Sequence, residues 1–313
     1  NDCALLTASG GISYLWNNSA TDASISVCPS VSTAYTVAVT DINGCTDSDE
    51  VTVTLLPAPQ ADAGPDVTIC EGNCANLSAS GGISYTWNTQ ETSSTISVCP
   101  TGTAMYSVTV TDNNGCTASD DVIVTVTPAP IANAGSDATI CEGDNYTLNG
   151  IANNYSSISW TGGDGTFNDN GILNAIYTPG PNDIIAGSVT LTLNVNGNQP
   201  CNPVSDFMVL TIDPLPIAHA GPDATINMGQ TTTLNGTAIG GSGNYAYNWT
   251  PADSLVNPNI QNPTTVPLYT TNIFTLTVTD LNTGCQGTDD VIIVVAGMNL
   301  TVSATAQPDE ICK

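Results

Sequence analysis

A self-similarity at a shift of 71 residues constrains this chain more than any other feature. The run Cys3-Ala4-Leu5-Leu6-Thr7-Ala8-Ser9-Gly10-Gly11-Ile12-Ser13-Tyr14-Leu15-Trp16-Asn17 returns as Cys74-Ala75-Asn76-Leu77-Ser78-Ala79-Ser80-Gly81-Gly82-Ile83-Ser84-Tyr85-Thr86-Trp87-Asn88. Further on, Tyr35-Thr36-Val37-Ala38-Val39-Thr40-Asp41 returns as Tyr106-Ser107-Val108-Thr109-Val110-Thr111-Asp112, each followed shortly by Gly-Cys. Such a period marks tandem units of one supersecondary design. Two more divergent copies follow. Each new unit opens on a Pro-x-Pro linker, at Pro57 and Pro59, Pro128 and Pro130, and Pro214 and Pro216. The expected units are therefore residues 1–56, 57–127, 128–213 and 214–297. The first lacks its opening strand, and residues 298–313 read as the opening strand of a following or neighbouring domain.

Inside a unit, apolar positions alternate with Thr and Ser over short runs, as in Val122-Ile123-Val124-Thr125-Val126 and Phe274-Thr275-Leu276-Thr277-Val278. Period two, β-branched enrichment and glycine-rich turns predict antiparallel strands with one buried face and no helix. About seven short strands per unit make a small sandwich. The fold class is all-β: tandem immunoglobulin-like or PKD-like sandwiches arranged as a rod. The third unit is longer, with a glycine-rich stretch over residues 162–171. Trp16, Trp87, Trp160 and Trp249 fall one per unit at equivalent places, which marks core tryptophans rather than a carbohydrate-stacking platform.

Charge then limits function. The chain has 28 acidic residues, one lysine, no arginine and one histidine, a formal net charge of -27. Phosphate recognition needs clustered cations, so nucleic acid is excluded as a partner. No apolar run approaches the roughly 20 residues of a membrane span. Acid–base and nucleophilic catalysis relies on histidine, lysine or paired carboxylates in a pocket. His219 stands where other units carry Asp62 and Asn133, a replaceable position, so the chain reads as non-enzymatic. An isopeptide cross-link would need an internal lysine, and the one lysine is Lys313.

Eleven cysteines at recurring spacings read as disulfides formed in an oxidising compartment. Zinc is disfavoured, because no Cys-x-x-Cys occurs and His219 has no cysteine near it. Cys3 with Cys28 and Cys74 with Cys99 are expected within their domains, since both partners vanish together from the third and fourth units. A second class comprises Cys70, Cys141 and Cys312 after the opening strand, and Cys45, Cys116, Cys201 and Cys285 after the last hairpin turn. Those two places lie at opposite ends of one sandwich, about 20 Å apart, beyond the Cα separation near 6 Å of a disulfide. Bridges across junctions, Cys70 to Cys201 and Cys141 to Cys285, are the favoured scheme, leaving Cys45 over. The alternative is Cys70 to Cys116 and Cys141 to Cys201, leaving Cys285.

Ala63-Gly64-Pro65-Asp66-Val67-Thr68-Ile69-Cys70-Glu71-Gly72, Asp112-Asn113-Asn114-Gly115-Cys116, Trp160-Thr161-Gly162-Gly163-Asp164-Gly165-Thr166-Phe167 and Tyr177-Thr178-Pro179-Gly180 carry a family likeness. The whole chain resembles the immunoglobulin-like and PKD-like repeats of Bacteroidota cell-surface proteins, including giant gliding-motility adhesins of the SprB kind. The resemblance implies an extracellular, cell-surface location, type IX secretion, and adhesion or motility with surface glycans or other cells as partners.

No cofactor is expected apart from calcium, for which Asp62, Asp66, Asp112, Asn114, Asp164 and Asp169 are the candidate oxygen ligands. Asp112 and its copies Asp41 and Asp280 equally suit Asx turns. The leading function is a structural and adhesive rod or filament; a spacer stalk in a secreted enzyme and a lectin-like module are the alternatives. The two ends also match: Ile311-Cys312-Lys313 joined to Asn1-Asp2-Cys3-Ala4 reproduces Ile69-Cys70-Glu71-Gly72-Asn73-Cys74-Ala75. The chain thus reads as one period associating with copies of itself head to tail, as a covalent tandem repeat or by strand addition.

Overall fold

Alternating side chains give each unit one apolar face per strand, and two such faces close on each other. The computed structural model describes residues 3–297, in two units, Asn1–Thr127 and Pro128–Lys313. Each unit holds two sandwiches.

In the first domain β1 (Ala4–Thr7) pairs antiparallel with β3 (Ser24–Val27), facing a three-stranded sheet of β2 (Ser13–Trp16), β4 (Thr33–Thr40) and β5 (Thr46–Val53). The second domain repeats this plan. There β7 (Ala75–Ser78) pairs with β9 (Thr95–Val98), and β6 (Val67–Cys70), β11 (Thr117–Thr127), β10 (Ala104–Thr111) and β8 (Ser84–Trp87) form the larger sheet. The added member is β6, which lies parallel to β11 with Val67 opposite Val124 and Cys70 opposite Thr127. A pair of antiparallel strands facing a C–F–G-type sheet edged by a parallel opening strand is the immunoglobulin-like sandwich.

The third domain comprises β12 (Ile131–Asn133), β13 (Ala138–Cys141), β14 (Tyr146–Thr147), β15 (Ile151–Asn153), β16 (Tyr155–Thr161), β17 (Thr166–Phe167), β18 (Ile176–Thr178), β19 (Ser188–Gly197) and β20 (Val204–Asp213). Its main sheet runs β13-β20-β19-β16. The expectation of no helix is corrected here by α1 (Pro181–Ala186). Pro181 has its φ preset for a first helical turn, and Gly187 ends the helix at φ 73°, where a side chain would be strained. The fourth domain holds β21 (Ile217–His219), β22 (Ala224–Asn227), β23 (Thr237–Ile239), β24 (Tyr245–Thr250), β25 (Asn272–Asp280) and β26 (Gln286–Ala296), with main sheet β22-β26-β25-β24.

Each domain is centred on its tryptophan. Trp16, Trp87, Trp160 and Trp249 are all buried, and each indole N–H donates to a backbone carbonyl, of Asp22, Ser93, Ile172 and Gln261 respectively. A buried indole needs such a partner, and burial removes these rings from any carbohydrate platform.

Candidate functional site

The feature that recurs at the edge of the complete domains is a reciprocal buckle between opening and closing strands. In the second domain Ala63 N–H donates to Asp120 Oδ2 (2.9 Å), while Ile123 N–H donates to Asp66 Oδ1 (2.8 Å). The third domain repeats this with Ala134 to Asp206 and Val209 to Asp137, both 2.8 Å. The fourth uses Ala220 to Asp289 (2.7 Å) and Ile292 to Asp223 (2.8 Å). Each carboxylate satisfies a main-chain N–H at a place where the strand leaves the regular ladder. The opening strand enters the buckle through Gly64, which at φ 83° takes a conformation that disfavours side chains.

Among the described residues the first domain has no counterpart of that opening strand, and its closing strand is exposed. Val51 is 42% exposed, whereas its counterpart Val122 is 1% exposed. Leu55 and Leu56 are exposed as well. Asp49, in the register of Asp120, caps only the neighbouring Glu50 N–H at 2.8 Å. Three grooves follow this edge. One of about 190 Å³ lies between Ala8, Ser9, Trp16, Asp49 and Val51, where Ala63 would sit in the second domain. Another, of about 310 Å³, includes Ser9, Asp41 and Cys45. The third, of about 270 Å³, is lined by Cys3, Val53, Leu55, Leu56 and Cys116. The exposed edge is thus mainly that of the closing strand β5.

Among the cysteines, Cys3 is bonded to Cys28, with Cα atoms 4.3 Å apart, and Cys74 to Cys99, 4.1 Å apart. Both bonds tie the ends of a paired β1–β3 or β7–β9 ribbon. Cys141, at the end of β13, is bonded to Cys285 beyond the last hairpin turn of the next domain, with a Cα separation of 5.6 Å. Cys70 and Cys201 are each disulfide-bonded as well. The Cys141–Cys285 bond overturns the alternative of Cys141 with Cys201. Cys116, expected in a disulfide, is free, as is the exposed Cys45. Cys312 and the rest of residues 298–313 lie outside the described residues.

The carboxylates weighed for calcium all serve main-chain donors. Asp62 Oδ1 accepts from Gly64 N–H, and Asp66 belongs to the buckle. Asp112 Oδ1 accepts from Asn114 and Cys116 N–H, both at 2.9 Å, and Asp169 Oδ1 accepts from Gly171 N–H. Asp164 accepts from Asn182 and from Asp183 N–H, anchoring the glycine-rich segment to α1. Asp183 in turn accepts from the Tyr177 hydroxyl at 2.5 Å and from Gly180 N–H at 3.0 Å. Burial raises the Asp183 pKa, yet these donors outweigh it and hold the carboxyl below the usual carboxylate range. Among the described residues no group of three or more His, Cys, Asp or Glu side chains gathers into a metal site. His219 is exposed at the end of β21.

These features define a class, a tandem array of immunoglobulin-like β-sandwiches. No family model matches the sequence, and no curated protein matches it. Among solved structures the chain is similar to the I-band fragment I67-I69 from titin, at 10% identity and a TM-score of 0.41, over 77% of this chain and 100% of that one. It is also similar to Sidekick-1 immunoglobulin domains 1-5, at 12% identity and a TM-score of 0.33, over 94% and 77% of the two chains. Mouse cadherin-23 EC22-24 is a further likeness, at 14% identity and a TM-score of 0.31, over 77% and 100%. At these scores the fold class rests on the chain's own strand order. Among the described residues no helix is long and apolar enough to cross a membrane.

Proposed function

We propose that the chain is a structural and adhesive element of an extracellular, cell-surface stalk or filament, non-enzymatic and continued head to tail by copies of itself. The observation that carries this reading is the Cys141–Cys285 bond. It ties the opening strand of one sandwich to the last hairpin of the next, so that junction cannot open under tension without breaking a covalent bond. A disulfide spanning 144 residues of sequence also restricts the unfolded chain strongly. Disulfides on eight cysteines support an oxidising, extracellular location. The likeness to Bacteroidota surface repeats supports adhesion or gliding motility, with surface glycans or other cells as the partners. Electron microscopy of the native material tests the reading: uniform fibres many times longer than one chain are expected. Short stalks each ending in a separate globular head would overturn it.

A further inference from the structure

The third domain departs from the other three on the outward face of its main sheet. The position after the buckle aspartate, on the strand that closes each sandwich, is an exposed carboxylate in the first, second and fourth units. Glu50 stands there across from Thr36, Asp121 across from Ser107 and Asp290 across from Thr275. The third unit has Phe207 instead, across from Thr192 and 64% exposed. A single exposed apolar side chain is ordinary on a protein surface, but this ring comes with two further changes on the neighbouring strand. Asn194 stands where the other units have Ala38, Thr109 and Thr277, and Asn196 where they have Thr40, Thr111 and Thr279. One ring and two amides thus distinguish a face that is elsewhere built of hydroxyls and an acid.

The two amides are held in place from one side. Asn194 Nδ2 donates to Ser159 O at 3.3 Å and to Thr161 Oγ1 at 2.9 Å, and Asn196 Nδ2 donates to Ser157 Oγ at 2.9 Å. Among the described residues nothing donates to either Oδ1, so each remains an acceptor in a fixed position. Asn194 is the diagonal neighbour of Phe207, about 7–8 Å away. Asn196 lies two residues further along β19, about 14 Å from Phe207 at the usual strand rise and spacing. The paired positions Thr161, Thr192 and Phe207, and Ser159, Asn194 and Ser205, carry no charge. Asp206 is engaged by the Ala134 N–H in the buckle.

We infer that this face of the third domain binds a neutral oligosaccharide, with Phe207 as its stacking platform and the Asn194 and Asn196 amide oxygens as acceptors for sugar hydroxyls. The inference rests on the adhesive reading with surface glycans as partners, and deepens it by naming the site and the class of sugar. The axial C–H groups of a pyranose carry partial positive charge and suit the negative face of an aromatic ring. Thr161 and Ser157, whose oxygens already accept from the amides, keep their own O–H groups to donate onward to the sugar. The distance from Phe207 to Asn196 suits a short run of sugar units rather than one ring. Charge selects the neutral class. The sequence has no arginine and a single lysine, Lys313, so a sialic acid or uronate would meet no cation here and would be repelled by a net charge of -27. A second protein sheet fits less well, because stacked sheets bury apolar faces and this one is mostly hydroxyl and amide.

The test is an array of neutral, sialylated and uronate-bearing oligosaccharides probed with the full 313-residue chain, followed by calorimetric titration of the strongest ligand. Binding to neutral oligosaccharides is expected, with the acidic ones at background. Phe207→Asp places beside Asp206 the residue that Asp121 and Asp290 supply beside Asp120 and Asp289, so thermal unfolding should match the parent while binding weakens at least about tenfold. Asn194→Thr should weaken it about three- to tenfold, and Asp290→Ala, at the equivalent place of the fourth domain, should leave it unchanged. No binding, binding confined to acidic glycans, or binding that survives Phe207→Asp would overturn the inference. So would a sedimentation mass that rises with concentration in the parent and not in Phe207→Asp, since a second copy would then cover the ring. Long native fibres without a neutral ligand on the array would retain the stalk and remove this site. Short stalks with globular heads that bind neutral glycans through Phe207 would retain the site and remove the filament.

Discussion

The first and second domains carry the same strands 71 residues apart, and they differ along one edge. Their centres are alike. Trp16 is 2% and Trp87 1% exposed, and each domain has its disulfide across the β1–β3 or β7–β9 ribbon. Their closing strands are not alike, with Val51 open and Val122 covered. The core around the tryptophan therefore closes without the opening strand. That strand instead shields the last strand and satisfies its outward N–H groups. The centre of such a domain thus depends little on what lies along that edge.

The largest effect that could break this comparison lies at the centre. Trp87→Ala should destabilise the second domain by about 3–5 kcal/mol, and Trp16→Ala should cost the first domain a similar amount. Calorimetry of the two variants decides it; a Trp16 effect less than half as large would mean that the first core is incomplete without its opening strand. Next comes the ribbon disulfide. Replacing Cys74 and Cys99 together by Ser should cost about 3 kcal/mol for a 25-residue separation, and the Cys3 and Cys28 pair should match it. Denaturant midpoints for the two double variants measure the difference.

The edge itself predicts an asymmetry. Asp120→Ala removes the acceptor of the Ala63 N–H and should destabilise the second domain by about 2 kcal/mol. Asp49→Ala, in dilute chain, should stay within about 0.5 kcal/mol. Equal losses would show that the first-domain edge is already occupied.

The smallest effect concerns the turn aspartates. In the fourth domain the Ser242 side chain and N–H both bind Asp280 and hold its carboxyl down to about 2. Because the folded value lies below the ordinary 3.8, the stability it contributes is complete above that value and is lost as pH falls through about 2. Asp41, at the equivalent turn of the first domain, is also lowered, chiefly by the Cys45 N–H. An NMR titration should find the Asp280 carboxyl still ionised at pH 3; protonation near pH 4 would contradict the Ser242 clamp.

The repeat period, the alternation of Val and Thr, and the joint loss of two cysteines made the sandwiches and the ribbon bonds legible in the sequence. The buckle was not legible as such. Asp66 reads as an exposed carboxylate near a turn, and its partner Ile123 lies 57 residues away. Only the recurrence of both aspartates in the complete units, Asp66 with Asp120, Asp137 with Asp206 and Asp223 with Asp289, signals that they act together. Helix α1 escaped a reading based on period two because six residues are too few for a helical period to register. The exposed face of β5 depends on what lies beside the strand: Val51 and Val53 match Val122 and Val124 in the sequence, yet only the latter pair is buried.

Amide hydrogen exchange on the full chain tests the central claim most directly. At low concentration Thr52 N–H, on the open edge, should exchange at least about a hundredfold faster than Ile123 N–H, held by Asp66 in the second domain. Protection of Thr52 equal to that of Ile123 would contradict the claim that the opening strand and its aspartate are what shield the closing strand.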